Sequence, residues 1–170
     1  QSADVDESLH LNEKPSDYVV RLAKAKAAAV AGATLAGQCV LGADKTVVVS
    51  DDVLGKPKDA EDASSMLVKL SGREHQVLTG VALVEAGTQK VIQTLMVTTT
   101  VQFRDLSATE INAYIRCGEP MDKAGAYGIQ GLGGAFVRSI TGSYSNVVGL
   151  PLAETFELLS AVKLQTGLSP

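Results

Sequence analysis

A few polar residues stand where solvated side chains are uncommon, and their types suit the handling of phosphates. Lys26 lies four residues after Leu22 and seven after Val19. That is the apolar stripe of a helical repeat, so its ammonium either snorkels to water or meets an anion. Asp44 closes the apolar run CVLGAD. An acid at the carboxyl end of a strand is where α/β folds place ligands, and it is equally a turn or cap residue. Lys45 adjoins it, a pair that solvation alone could explain. Lys56 stands between Gly55 and Pro57, a turn of defined backbone that suits a phosphate contact or an exposed turn lysine. It is no P-loop, because the G-x-x-x-x-G-K-[ST] spacing is absent.

The stretch AGAYGIQGLGG (124–134) is rich in glycine, so its backbone either approaches a ligand closely or forms a flexible, bulged connection. No helical pattern follows it, which separates it from a dinucleotide fingerprint. Its Gln130 offers both an amide donor and an acceptor, as reading a base edge requires. Near the start, Asp4, Asp6 and Glu7 could hold a hard cation or form a solvated terminus. His10 and His75 have no partner at metal-ligand spacing and read as ordinary surface or core histidines.

The elements that must position these residues alternate in type. Pro15-Ser16-Asp17 opens a helix through Val19, Leu22, Ala23, Ala27 and Val30, and Gly32 can end it. CVLGAD predicts a buried strand, residues 46–49 another, and Ser50-Asp51-Asp52 a turn. Asp59 caps a helix through Met66, Leu67 and Leu70 that stops at Gly72. Residues 75–85 and 90–103 predict strands with a hairpin at Gly87, and VTTTVQF alternates as a strand with one wet face should. Ser107 and Glu110 form the capping box of a helix ending near Gly118. Short strands follow at 136–140 and 146–150, then a last helix from Pro151. This order predicts an α/β (mixed α+β) sheet with helices packed on it.

At 170 residues the chain is one domain by length. Aromatics are scarce and tryptophan is absent, so an aliphatic core is expected. A net charge of −4 argues against bulk binding to nucleic acid or an anionic membrane. No apolar run reaches the roughly 18 residues of a membrane span, and no signal peptide is visible. Cys39 and Cys117 lie far apart in unlike contexts; two free thiols in a cytosolic chain are expected, with a disulfide as the alternative. The chain begins at Gln1, without methionine and in a polar stretch, which reads as a truncated N-terminus.

VDES, YVVRLAKAKA, LGAD, VLGKPKDAEDA, MLVKLSG, HQVLTGVAL, MDKAGAYGIQGLGGAFV and NVVGLPLAET follow one another along the chain. Together they resemble the Maf family, the septum formation inhibitor or Maf-like proteins, over nearly the whole sequence. MDKAGAYGIQG and NVVGLPL are the most specific of these pieces.

The resemblance implies a fold like that of the inosine-triphosphatase-type housecleaning pyrophosphatases: an elongated mixed sheet with flanking helices and a central cleft. It implies a cytoplasmic enzyme that cleaves nucleoside triphosphates between the α- and β-phosphates with a divalent metal, Mg²⁺ or Mn²⁺. Asp44 matches the proposed proton acceptor and a metal ligand, Glu7 an acid at the metal, and Lys26 and Lys56 lysines that face the phosphates. Gln130 matches a position that sorts substrates, and within AGAYGIQG it resembles the dTTP/UTP branch. Lys45 departs from the threonine usual there in that branch, at a position that bears on base preference. Homodimers are common in such folds. The family begins with a strand and a Ser-x-x-Arg loop, so residues 1–170 read as a single Maf-like domain lacking both. The alternative to an enzyme is a nucleotide-binding regulator of cell division and septum formation with little catalysis.

Overall fold

A computed structural model describes residues 3–167. Helix α1 (Pro15–Ala31) starts on a proline, whose fixed φ and missing N–H suit the first helical position. It buries Val19, Leu22, Ala23, Ala27 and Ala31 along one face and ends at Gly32. Strand β1 (Cys39–Val49) runs unbroken through Asp44, so the two predicted strands are one. Ser50 and Asp51, with φ of 48° and 70°, turn the chain into β2 (Asp52–Leu54), a hairpin geometry that aspartate tolerates. Asp59 caps α2 (Ala60–Leu70) by accepting from the Asp62 amide at 2.8 Å.

Strands β3 (Glu74–Glu85) and β4 (Val91–Phe103) flank the turn at Gly87, whose φ of 88° favours glycine. Helix α3 (Ala108–Arg116) carries the full capping box between Ser107 and Glu110. Residues 119–136 form short 3₁₀ turns that lead into β5 (Val137–Thr141). Helices α4 (Tyr144–Val148) and α5 (Leu152–Ala161) complete the chain. The sheet order is β2-β1-β3-β4-β5, with β1–β2 and β4–β5 antiparallel. The mixed α/β class expected from the sequence is the one observed.

The chain divides into two compact units. The first comprises Gln1–Lys45, Thr79–Val97 and Gly149–Pro170. In it α1 lies directly on the strands at two glycines. A Cβ at Gly42 of β1 would meet the Ala23 carbonyl and sit 2.8 Å from the Ala27 Cβ, and one at Gly80 of β3 would meet the Val19 backbone. Ala27, Ala31 and Val84 are fully buried beside them.

The second unit comprises Thr46–Leu78 and Thr98–Val148 and holds the larger core. Leu67 and Leu70 of α2, Val77, Val101 and Ile111 are buried there, but the core is not purely aliphatic. The few rings cluster: Phe103 meets His75, Tyr127 and Phe136 edge-on at centroid distances of 4.9, 4.7 and 5.9 Å. Scarcity in composition was no guide, because the rings are concentrated in one place.

Two further expectations are corrected. Residues 146–150 do not form a strand: Tyr144–Val148 is helical. Buried Asn146 donates to the Val77 carbonyl and to Thr99 Oγ1, both at 3.0 Å, while its own amide donates to Ser143 Oγ at 3.3 Å. These bonds hold a helical turn against the β preference of Val147-Val148. The first half of β1 is also not buried on both faces, since Cys39 and Leu41 are exposed and Gly42 faces α1.

Candidate functional site

In the first unit, α1 and β1 bring together residues 18 positions apart. Because no side chain intervenes between Gly42 and Ala23 or Ala27, Lys26 on α1 reaches Asp44, two residues beyond Gly42 on the same face of β1. Lys26 Nζ lies 2.5 Å from Asp44 Oδ1 and 2.6 Å from Glu7 Oε1. Asp44 is largely enclosed, with 10% of its side chain exposed, while Glu7 approaches from the wetter side at 50%. Burial opposes charge on Lys26, but hydrogen bonds to Asp44 and Glu7 outweigh it and raise its pKa. Of the two alternatives for this lysine, water or an anion, the protein itself supplies the anion, as a pair of carboxylates. Lys45, half-buried, leaves the strand on the face opposite Asp44.

Glu7 sits in an irregular segment that α1 holds down. Tyr18 Oη donates to the Glu7 carbonyl at 2.9 Å, and Arg21 Nη2 donates to the Ser8 carbonyl at 2.9 Å. Arg21 also grips Glu13 through two bonds, of 2.6 and 2.8 Å, and lies 5.5 Å over the Tyr18 ring. Its guanidinium holds the Glu13 carboxyl down at about 2. Asp6 is engaged locally: hydrogen bonds from the Ser8 hydroxyl and from the Ser8 amide, the latter at 2.9 Å, lower its pKa. Sequence reasoning singled out none of Tyr18, Arg21 and Glu13. The available signal was the i, i+3 spacing of Tyr18 and Arg21 beside Lys26.

Two carboxylates converging on one cationic nitrogen form a site of the right chemistry for a hard divalent cation. Such an ion is often held by one or two carboxylates, with water and substrate phosphates completing its shell. Among the described residues no group of three or more His, Cys, Asp or Glu could hold a metal. Glu7 and Asp44 fit the sparser, two-carboxylate arrangement.

The second unit carries Lys56 and Gln130, both exposed. The turn at Lys56 is fixed on one side by buried Pro57 and on the other by the Gly55 carbonyl, which accepts from the Gly125 amide at 3.0 Å. Lys56, Lys58 and Lys69 border a concavity of about 400 Å³ with Gly55, Asp62 and Met66.

The glycine-rich loop spends much of its backbone on the protein. Glu119 accepts from the Leu132 and Gly133 amides at 2.9 and 3.1 Å and from Tyr114 Oη at 2.8 Å. Tyr114 Oη in turn accepts from the Gly128 amide at 3.1 Å. Burial of Glu119 opposes its charge, yet these donors lower its pKa, and burial raises that of Tyr114. A Cβ at Gly133 would lie 2.6 Å from Tyr114 Oη, and one at Gly125 would lie 2.9 Å from Val47. At these positions glycine is required by internal packing. Gln130 sits between the anchored amides of Gly128 and Leu132. The sequence reading passed over Glu119 and Tyr114, although an acid at the mouth of a glycine-rich loop was visible.

Elsewhere, His10 is exposed and His75 buried. Cys39 and Cys117 are free and exposed. Among the described residues no helix is long and apolar enough to cross a membrane.

Residues 1–162 match the family described as Maf-like protein. A dTTP/UTP pyrophosphatase of Hahella chejuensis is 58% identical over 160 residues, covering 93% of this chain and 78% of the relative. The dTTP/UTP pyrophosphatase of Shigella sonnei and the nucleoside triphosphate pyrophosphatase of Shigella flexneri are each 54% identical over 156 residues, 92% of this chain and 78% of each relative. With that coverage and identity, and with the fold expected of it, the chain belongs to the Maf-like protein family.

Proposed function

We propose that this chain hydrolyses nucleoside triphosphates, dTTP and UTP foremost, to the monophosphate and pyrophosphate. The observation that carries the reading is the convergence of Glu7 and Asp44 on Lys26 Nζ, in a family whose relatives are named for this activity.

Hydrolysis joins a water oxygen to the α-phosphorus while the bond from that phosphorus to the α–β bridging oxygen breaks. Pyrophosphate leaves with the bonding electrons. The proton of the attacking water must go to a base within hydrogen-bond reach, and Asp44 is the carboxylate proposed for it. Enclosure keeps bulk water from competing for its oxygens. Lys26, kept cationic by its two acids, offsets charge that builds on the phosphates, which is the main demand of this type of transfer. Glu7 and Asp44 would hold Mg²⁺ or Mn²⁺, an ion that supplies polarisation of phosphoryl oxygens when bound. Lys56 is proposed as a further phosphate contact, and exposed Gln130 as the amide that reads the base edge. Lys45, where the dTTP/UTP branch usually has threonine, is proposed to tune base preference.

The test is a panel of nucleoside triphosphates with Mg²⁺ or Mn²⁺, scored for pyrophosphate and monophosphate. Release from dTTP and UTP ahead of the purine nucleotides is expected. Orthophosphate as the product would place cleavage at another bond and sink the reading. Tight nucleotide binding without turnover would instead favour the non-catalytic regulator of cell division.

A further inference from the structure

We propose that Tyr18 and Arg21 are positioning residues that set the reach of Glu7, an inference whose catalytic consequence rests on the function proposed above. Glu7 lies in a segment without helix or strand, so its own backbone supplies no rigidity. Its carboxylate nevertheless meets Lys26 Nζ at 2.6 Å. The distance is fixed from behind. Tyr18 Oη holds the Glu7 carbonyl and Arg21 Nη2 holds the next carbonyl, that of Ser8. Both donors project from α1, the helix that carries Lys26, so one rigid element sets both ends of the Glu7–Lys26 contact.

Arg21 is itself immobilised by the paired bonds to Glu13 and by the Tyr18 ring beneath it. Glu13 in turn accepts from the His10 amide at 3.1 Å, and its own amide donates to the His10 carbonyl at 3.1 Å, closing the segment downstream of Glu7. A planar fork that binds a carboxylate with two nitrogens and still reaches a carbonyl is an arginine property that lysine cannot reproduce. Through this clamp, residues that need not touch a nucleotide control where one of the two carboxylates stands. An error of about 1 Å in a catalytic group costs on the order of 10²-fold in rate.

The experiment uses the full chain and the variants Tyr18→Phe, Arg21→Gln, Arg21→Lys, Glu7→Gln and Arg21→Gln/Glu7→Gln. Two readouts are taken: ¹⁵N order parameters across residues 6–10, and kcat/KM for pyrophosphate release. Arg21→Gln and Tyr18→Phe are expected to lower the order parameters and to cut kcat/KM by about 10- to 100-fold, with Arg21→Lys between them and wild type. In the Glu7→Gln background, Arg21→Gln is expected to add no further loss, because the group it positions is already gone. A purely structural role would cost activity equally in both backgrounds, and that result overturns the proposal. Unchanged order parameters in both Tyr18→Phe and Arg21→Gln overturn it as well. A wild-type chain that releases no pyrophosphate defeats the functional reading alone, since the order parameters still report on the clamp.

Discussion

Gly42 faces Ala27 so closely that a Cβ on the glycine would stand 2.8 Å from the Cβ of Ala27, with the Ala23 carbonyl nearer still. This contact lets α1 lie on β1 without an intervening side chain, and it is the reason that Lys26 and Asp44 meet. Gly42→Ala must therefore push the helix off the strand or force the strand to bend. Overpacking of this kind costs on the order of 2 kcal/mol. A lowered urea midpoint is expected together with a loss of pyrophosphate release larger than stability alone explains. Full activity in Gly42→Ala would show that the close approach is unrelated to the chemistry.

Asp44→Asn separates folding from catalysis. The amide keeps the shape of the carboxylate and one acceptor oxygen for Lys26, whose bond to Glu7 remains. Its basicity is gone, and removing a general base typically lowers the rate by about 10²- to 10⁴-fold. The variant is expected to keep a wild-type circular dichroism spectrum while kcat collapses. Turnover within twofold of wild type would remove Asp44 from its proposed role.

These two residues also mark how far the sequence could be read. Asp44 was legible as the acid that closes the apolar run CVLGAD, although the strand continues through it to Val49, and Lys26 because a lysine on an apolar helical stripe must either snorkel to water or meet an anion. Helix starts at Pro15, Asp59 and Ser107 were legible because caps act within a few residues. The clamp on Glu7 was not, since Tyr18 and Arg21 reach back 11 and 13 residues to carbonyls with no local signature. The helix at 144–148 has one local signal, the Ser143 hydroxyl that accepts from the Asn146 amide, but the bonds that seat Asn146 in the core come from Val77 and Thr99, far away in the chain. Gly42 and Gly80 reveal their purpose only once α1 is laid across them. What is local in cause was readable, and what depends on tertiary proximity was not.

Glu119 is expected to govern the loop that presents Gln130. Its two oxygens serve two amides and a phenol, and glutamine can satisfy only part of that set. Glu119→Gln should cost about 1–3 kcal/mol, the usual penalty for stranded donors. It should also narrow the difference in kcat/KM between UTP and CTP, because Gln130 is no longer held from both sides. Tyr114→Phe, which takes the acceptor from the Gly128 amide, should act in the same direction. Stopped-flow pyrophosphate assays with both nucleotides decide the matter, and undiminished discrimination in both variants would detach the loop from base selection.

His75 makes stability depend on pH. It is 2% exposed among Phe103 and Tyr127, with Nε2 bonded to Tyr127 Oη at 2.8 Å. Burial depresses its pKa from 6.5 to about 4. As pH falls below 6.5 the unfolded chain takes up a proton that the folded chain refuses until about pH 4, so stability drops across that window and this contribution levels off beneath it. By pH 5 the loss amounts to about 2 kcal/mol. The buried ring pays nothing above neutrality, where both states are uncharged. Glu13 and Glu110, held at about 2 by Arg21 and Arg104, lose their share only as pH falls from 4.5 toward that value. The decline between pH 6.5 and 5 therefore belongs to the histidine. Urea midpoints measured from pH 7.5 to 5 should fall in the wild type and stay nearly level in His75→Leu. Equal slopes in the two proteins would mean that the ring titrates as readily in the folded core as it does in water.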